Sequence, residues 1–221
     1  MSEDLDRAYR ERFSERKAYR EAVWDVLVRD FFQGWIPPSS RVLDLGCGWG
    51  EFINRVTAAE RYGMDLNPDS ATHLDPAVKL IPQSCSERWP LEDSSLDLVF
   101  SSNLFEHFLT KDLLRATLAE AARCVRPGGR LICMGPNIRF VGGEYWDFWD
   151  HHLPLTERSL SEVLRIVGFR MHRVWPRFLP YTMSRGGTPP VALLRLYLRM
   201  PWCWPLFGKQ FLIVAERTQG A

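Results

Sequence analysis

Val42-Leu43-Asp44-Leu45-Gly46-Cys47-Gly48-Trp49-Gly50 is the stretch on which the fold turns. A short extended run from Arg41 to Leu45 carries Asp44 to its carboxyl end. Glycines there let the chain bend tightly and bring its main chain against a ligand. Residues 51–58 read as a helix, whose N-terminus would turn unpaired N–H groups toward that ligand. The run Arg61-Tyr62-Gly63-Met64-Asp65 reads as a second strand ending in another acid. Asp65 thus stands close to where the acid of a nucleotide-type α/β fold grips ribose hydroxyls. The spacing also excludes ligands. A pyrophosphate loop is G-x-G-x-x-G, whereas this one is G-x-G-x-G with Asp44 two residues ahead. That carboxylate repels a pyrophosphate and suits a cationic amino-acid moiety. No Lys-Ser/Thr follows, so the loop is not of the Walker type.

Working outward, further strands are expected at Val78–Ile81, Leu96–Ser101, Arg130–Met134, Arg170–Val174 and Gln210–Ala215. Helices are expected within 3–32, from about Pro68, over Lys111–Cys124, over Ser159–Val167 and over Val191–Met200, with Pro127-Gly128-Gly129 stopping the third. Near-continuous apolar strands alternating with helices define an α/β fold, a doubly wound, mostly parallel seven-stranded sheet of Rossmann-like type. Its strand-to-helix loops gather at one edge. At 221 residues the chain supports one core, so residues 1–221 read as a single domain. Residues 1–36 form an N-terminal helical cap, and residues 175–209 are an insertion between the last two strands.

The charge balance, 28 basic against 27 acidic residues, gives no general pull on a phosphate backbone, and no nucleic-acid partner is expected. It is uneven, however: between Arg158 and Arg199 the arginines meet one carboxylate, Glu162. The five cysteines lack any CxxC pair and read as small buried thiols in a reducing compartment. The acidic start, Met1-Ser2-Glu3-Asp4, shows no apolar signal segment, and no apolar run reaches 18 residues. A cytoplasmic protein is expected.

Taken together, Asp44, Gly46, Gly48 and Gly50 resemble motif I of the class I S-adenosylmethionine-dependent methyltransferases, particularly the group acting on small metabolites. The stretch Trp89 to Val99, the segment Asn103-Leu104-Phe105-Glu106-His107-Phe108 and the turn Val125 to Leu131 resemble later family segments in the same order. The resemblance covers residues 41–134 and implies S-adenosyl-L-methionine as cofactor. It implies that the glycine loop, with Cys47, wraps the methionine part, that Asp65 and Leu66 meet the adenosine, and that Asn103 lines the cleft. Many relatives carry an acid after the third strand facing the adenine amine. Here Gln83-Ser84-Cys85-Ser86 stands there, leaving Ser84 or Cys85 for that contact.

Methyl transfer needs an acceptor atom held in line with the methyl group, and an oxygen or nitrogen acceptor needs a proton acceptor nearby. His107 follows the fourth strand, while His151 and His152 follow the aromatic run Tyr145-Trp146-Asp147-Phe148-Trp149-Asp150, so these three are the candidate bases. Each has a plainer reading as packing. Adjacent histidines diverge, so no metal is expected. Asn137 would orient the acceptor, with Tyr145, Trp146, Trp149 and Tyr181 as its walls. The aromatic insertion has three competing uses: a lid over the cleft, a homodimer face, or a peripheral membrane contact. The expected activity is methyl transfer to a small-molecule acceptor, with oxygen favoured, in a secondary-metabolite or sugar-related pathway. The alternatives are an RNA or protein methyltransferase and a non-catalytic cofactor-binding partner protein.

Overall fold

The computed structural model describes residues 17–181 and 188–219. Seven strands form one sheet: β1 (Arg41–Leu45), β2 (Glu60–Met64), β3 (Val78–Ile81), β4 (Leu96–Ser102), β5 (Val125–Pro136), β6 (Phe169–Trp175) and β7 (Gln210–Arg217). Their order is β3-β2-β1-β4-β5-β7-β6. Pairing is parallel from β3 to β5, and β7 runs antiparallel to both of its neighbours. The doubly wound α/β reading therefore holds. Central strands are apolar on both faces because both faces are covered: Val42, Leu43, Leu45, Val99 and Phe100 have no exposed surface.

Helices α1 (Lys17–Asp30), α2 (Ser70–His73), α3 (Lys111–Cys124), α4 (Ile138–Val141), α5 (Glu157–Ile166), α6 (Val191–Leu198) and α7 (Trp204–Phe207) surround the sheet. Thr110 caps α3 by accepting the Leu113 N–H, and Thr156 and Ser159 cap α5 reciprocally. Leu114, Leu118, Leu160 and Leu164 fill one face of the sheet. The other face holds an aromatic cluster from three distant parts of the chain. Phe52 stacks on Phe100 with centroids 3.7 Å apart, Phe32 meets both edge-on, and Phe178 and Trp204 of the insertion pack on Phe31. Helix α6 lies against α1, with Arg195 3.5 Å from Asp30. This cluster ties the N-terminal helix, the turn after the glycine loop and the insertion into one layer.

Two local expectations are corrected. Residues 51–55 form successive turns instead of a helix. Tertiary partners take the groups a helix would use: the Arg61 guanidinium donates to the carbonyls of Ile53 and Asn54, both at 3.2 Å. The Asn54 side chain is held between the His73 carbonyl and the Asp75 N–H. The helix α3 ends at Cys124 as expected, but the strand expected from Arg130 begins at Val125, taking in Pro127-Gly128-Gly129 through a register shift opposite Leu96 and Leu98, with Gly128 at a φ of 77°. Among the described residues no helix is long and apolar enough to cross a membrane.

Candidate active site

The exits of β1 and β2 build the first half of the site. Gly46, Gly48 and Gly50 take φ values of 66°, 52° and 77°, which side chains resist. The loop is also crowded: a Cβ on Gly46 would lie 2.8 Å from Leu104 Cδ1. Gly46 N–H donates to the Met64 carbonyl at 2.8 Å, binding the loop to the end of β2. Asp65 then accepts from Gly48 N–H and Asn67 N–H, each at 2.8 Å.

Asp44 is 3% exposed, and burial first, then Glu51 and Asp65, holds its carboxyl well above the usual carboxylate range. Asp65 is also raised, by burial, against the pull of its N–H donors. Burial and the same acids push up the Cys47 thiol. Buried acids set close together in this way favour a neighbouring cation, which stabilises their ionised form. From above, α1 covers it: Arg20 Nε meets Glu51 at 2.7 Å, its guanidinium lies over the Trp49 ring, and Trp49 stacks on His73.

Leu66 stands 70% exposed beside Asp65. Cys85 lies near enough to Asp65 to feel its charge, while burial raises its thiol. Its carbonyl accepts the Trp89 indole N–H at 2.8 Å, and Ser84 Oγ is 2.9 Å from Ser86 Oγ. Asn103 leaves β4 with a φ of 50°, its N–H on the Met134 carbonyl and its amide on Ser102 Oγ.

The second half lies beyond β4 and β5. Phe105–His107 form one tight turn. The Glu106 carbonyl accepts the N–H groups of His152 and Leu153, at 2.8 and 3.0 Å, which fastens the loop after α4 across this turn. His107 Nδ1 is 2.9 Å from the Asp150 carbonyl and 3.4 Å from its carboxylate. His151 Nδ1 is 3.0 Å from the Tyr145 carbonyl, and its ring stacks on Phe148. The two imidazoles meet edge to face at 5.1 Å. Glu106 shares the pocket, 4% exposed. Burial pushes its carboxyl up to about 7, against the opposing effect of His107.

The structure brings together His107 and His151 and excludes their neighbour. His152 is exposed, so the three-histidine expectation is corrected to two. Asn137 is corrected as well. It is fully buried, donating to Glu157 and the Pro176 carbonyl and accepting from Arg139 N–H, so it fastens the chain below the site and offers nothing to an acceptor. Tyr145 is buried against Val141 and Tyr181, and Tyr181 reaches Phe148 edge-on. Trp146 and Trp149 stand 59% and 85% exposed, an outer rim instead of a wall. Sequence reasoning missed Glu106 and Asp150. The signal for Glu106 was its place beside His107 directly after a strand.

Residues 43–133 match the family described as a methyltransferase domain. A malonyl-[acyl-carrier protein] O-methyltransferase of Methylococcus capsulatus is 30% identical over 174 residues, 72% of this chain and 61% of that protein. A probable tRNA methyltransferase 9B of Mus musculus is 27% identical over 74% of this chain and 35% of that protein. The chain therefore spans from about a third to three fifths of these relatives' lengths. A SAM-dependent methyltransferase structure from Archaeoglobus fulgidus superposes with a TM-score of 0.68 at 21% identity, covering 93% of this chain and 99% of that one. In its central sequence and in its fold the chain is similar to S-adenosylmethionine-dependent methyltransferases, and these likenesses imply S-adenosylmethionine as cofactor. Two buried acids beside a glycine loop, Asp44 and Asp65, are a chemical setting that fits a sulfonium cation.

Proposed function

We propose that the chain methylates an oxygen of a small-molecule acceptor carrying a hydroxyl group, of secondary-metabolite or sugar-like chemistry. One observation carries this reading: the buried Glu106 and His151 and the half-buried His107 form a polar cluster beside the aromatic rings of Tyr145 and Phe148, beyond the exit of β4. The cofactor supplies an electrophilic methyl group on a sulfonium centre. The chain's own residues hold the acceptor and handle its proton. Asp150 fixes the His107 ring, and the Tyr145 carbonyl fixes that of His151. A ring so held takes up a hydroxyl proton without first being ordered. The aromatic surround suits a ring-bearing or apolar acceptor and limits the entry of water.

Within the insertion, residues 175–181 and 188–209 act as the lid in this reading, supported by Tyr181 packing on Phe148, and residues 17–36 act as a cap, supported by Arg20 over the glycine loop; the rest of both expected segments, residues 1–16 and 182–187, lies outside the described residues. Action in the cytoplasm, without nucleic acid, completes the reading. Five free cysteines and the balanced charge support the last two points. Methyl-labelled cofactor incubated with hydroxylated metabolites, acyl-carrier substrates, tRNA and protein tests it. Label in the small hydroxyl compounds is expected. Label confined to tRNA or protein overturns it.

A further inference from the structure

We propose that Glu106, His107 and His151 form a binding site for a divalent transition metal of the zinc class. One ligand atom from each residue lies within 4.8 Å of those of the other two. Two imidazoles and a carboxylate are a donor set that suits such ions, and three protein ligands leave a position open. Atoms about 2.1 Å from a tetrahedral metal are roughly 3.4 Å apart, so modest side-chain rotations close the cluster.

The surroundings are those a metal requires. A carbonyl oxygen only accepts, so the Asp150 and Tyr145 carbonyls place a proton on Nδ1 of His107 and of His151. The lone pair of each ring is then at Nε2. Donation of the second ring N–H to a carbonyl or carboxylate is what orients ligating histidines, and His107 has both in Asp150. Glu106 is a buried carboxylate faced by its own main-chain N–H and the His107 ring, and it gains a strong partner in a cation. The site lies in sequence where adjacent histidines misled: His152 has no part in it, and His107 comes from another element.

The role of this site rests on the methyltransferase reading, but its existence does not. An acceptor hydroxyl on the open position loses its proton to water more readily. His107 and His151 would then serve as ligands, and water in place of their rings would accept the hydroxyl proton.

The test titrates the chelator-stripped full chain with Co²⁺ and, by calorimetry, with Zn²⁺. One equivalent is expected, with cobalt absorption typical of nitrogen and oxygen ligands. Glu106→Gln, His107→Ala and His151→Ala each lower affinity at least about tenfold, Asp150→Asn lowers it by about tenfold, and His172→Ala leaves it unchanged. Cofactor binding, measured on the same samples, reports folding and the methyltransferase class independently. Glu106→Gln preserves shape if an alanine variant unfolds. No binding up to about 1 mM metal overturns the proposal. So does a sulfur-to-cobalt band, or unchanged affinity in variants that still bind cofactor.

Discussion

The exits of β1 and β2 and the exit of β4 use different parts of the chain. Around Gly46 to Gly50 the recognition surface is main chain, shaped by three glycines at positive φ and pinned by Asp65 to neighbouring N–H groups. Around Glu106 it is side chain, delivered partly by a loop that begins some forty residues later. The first arrangement suits a ligand that is always the same, because main-chain geometry offers few variants. The second suits chemistry that differs between related proteins.

The sharpest way to separate the halves is His107→Ala. It should lower turnover by about 10²- to 10⁴-fold while cofactor affinity changes less than about twofold. Calorimetry and a methyl-transfer assay check both. An equal loss of cofactor binding would merge the halves. Asp65→Ala is the converse, with cofactor affinity falling about 10- to 100-fold as charge-assisted hydrogen bonds are lost. Asn137→Ala tests the fastening beneath the acceptor side. It strips the buried Glu157 of a donor and should cost about 2–3 kcal/mol in denaturant unfolding, with cofactor affinity retained. Smaller still is a pH effect. The Asp44 carboxyl is raised without ligand, and a cation favours its ionised form. Binding should therefore release protons and tighten as pH rises. Calorimetry in buffers of different ionisation enthalpy would detect this, and uptake of protons would contradict it. Trp149→Ser should leave stability within about 0.5 kcal/mol, because the indole stands in solvent.

The same division explains what could be read in advance. The strands from Arg41 to Ser102 and helix α3 follow from apolar runs and caps, which are local. The acids at 44 and 65 follow from their places at strand ends. The helix expected after Gly50 failed because Arg61, on the following strand β2, takes its carbonyls. Glu106 escaped notice because its neighbours come from another loop, and a carboxylate beside a histidine has no distinct local pattern. Asn137 misled for a related reason. A polar residue after a strand looks available, yet Glu157 and Pro176 close over it from later in the chain.

The Glu106 peptide oxygen, with its two N–H donors from His152 and Leu153, holds the acceptor loop by a clasp indifferent to side-chain identity. Within the span 146–149, all positions but Phe148 can therefore be rewritten without undoing the anchor, with Tyr145 and Asp150 kept because they hold the two histidines and proline kept out of positions 152 and 153. Libraries confined to that span are the economical route to changing which molecule is methylated, since attachment and specificity reside in separate atoms.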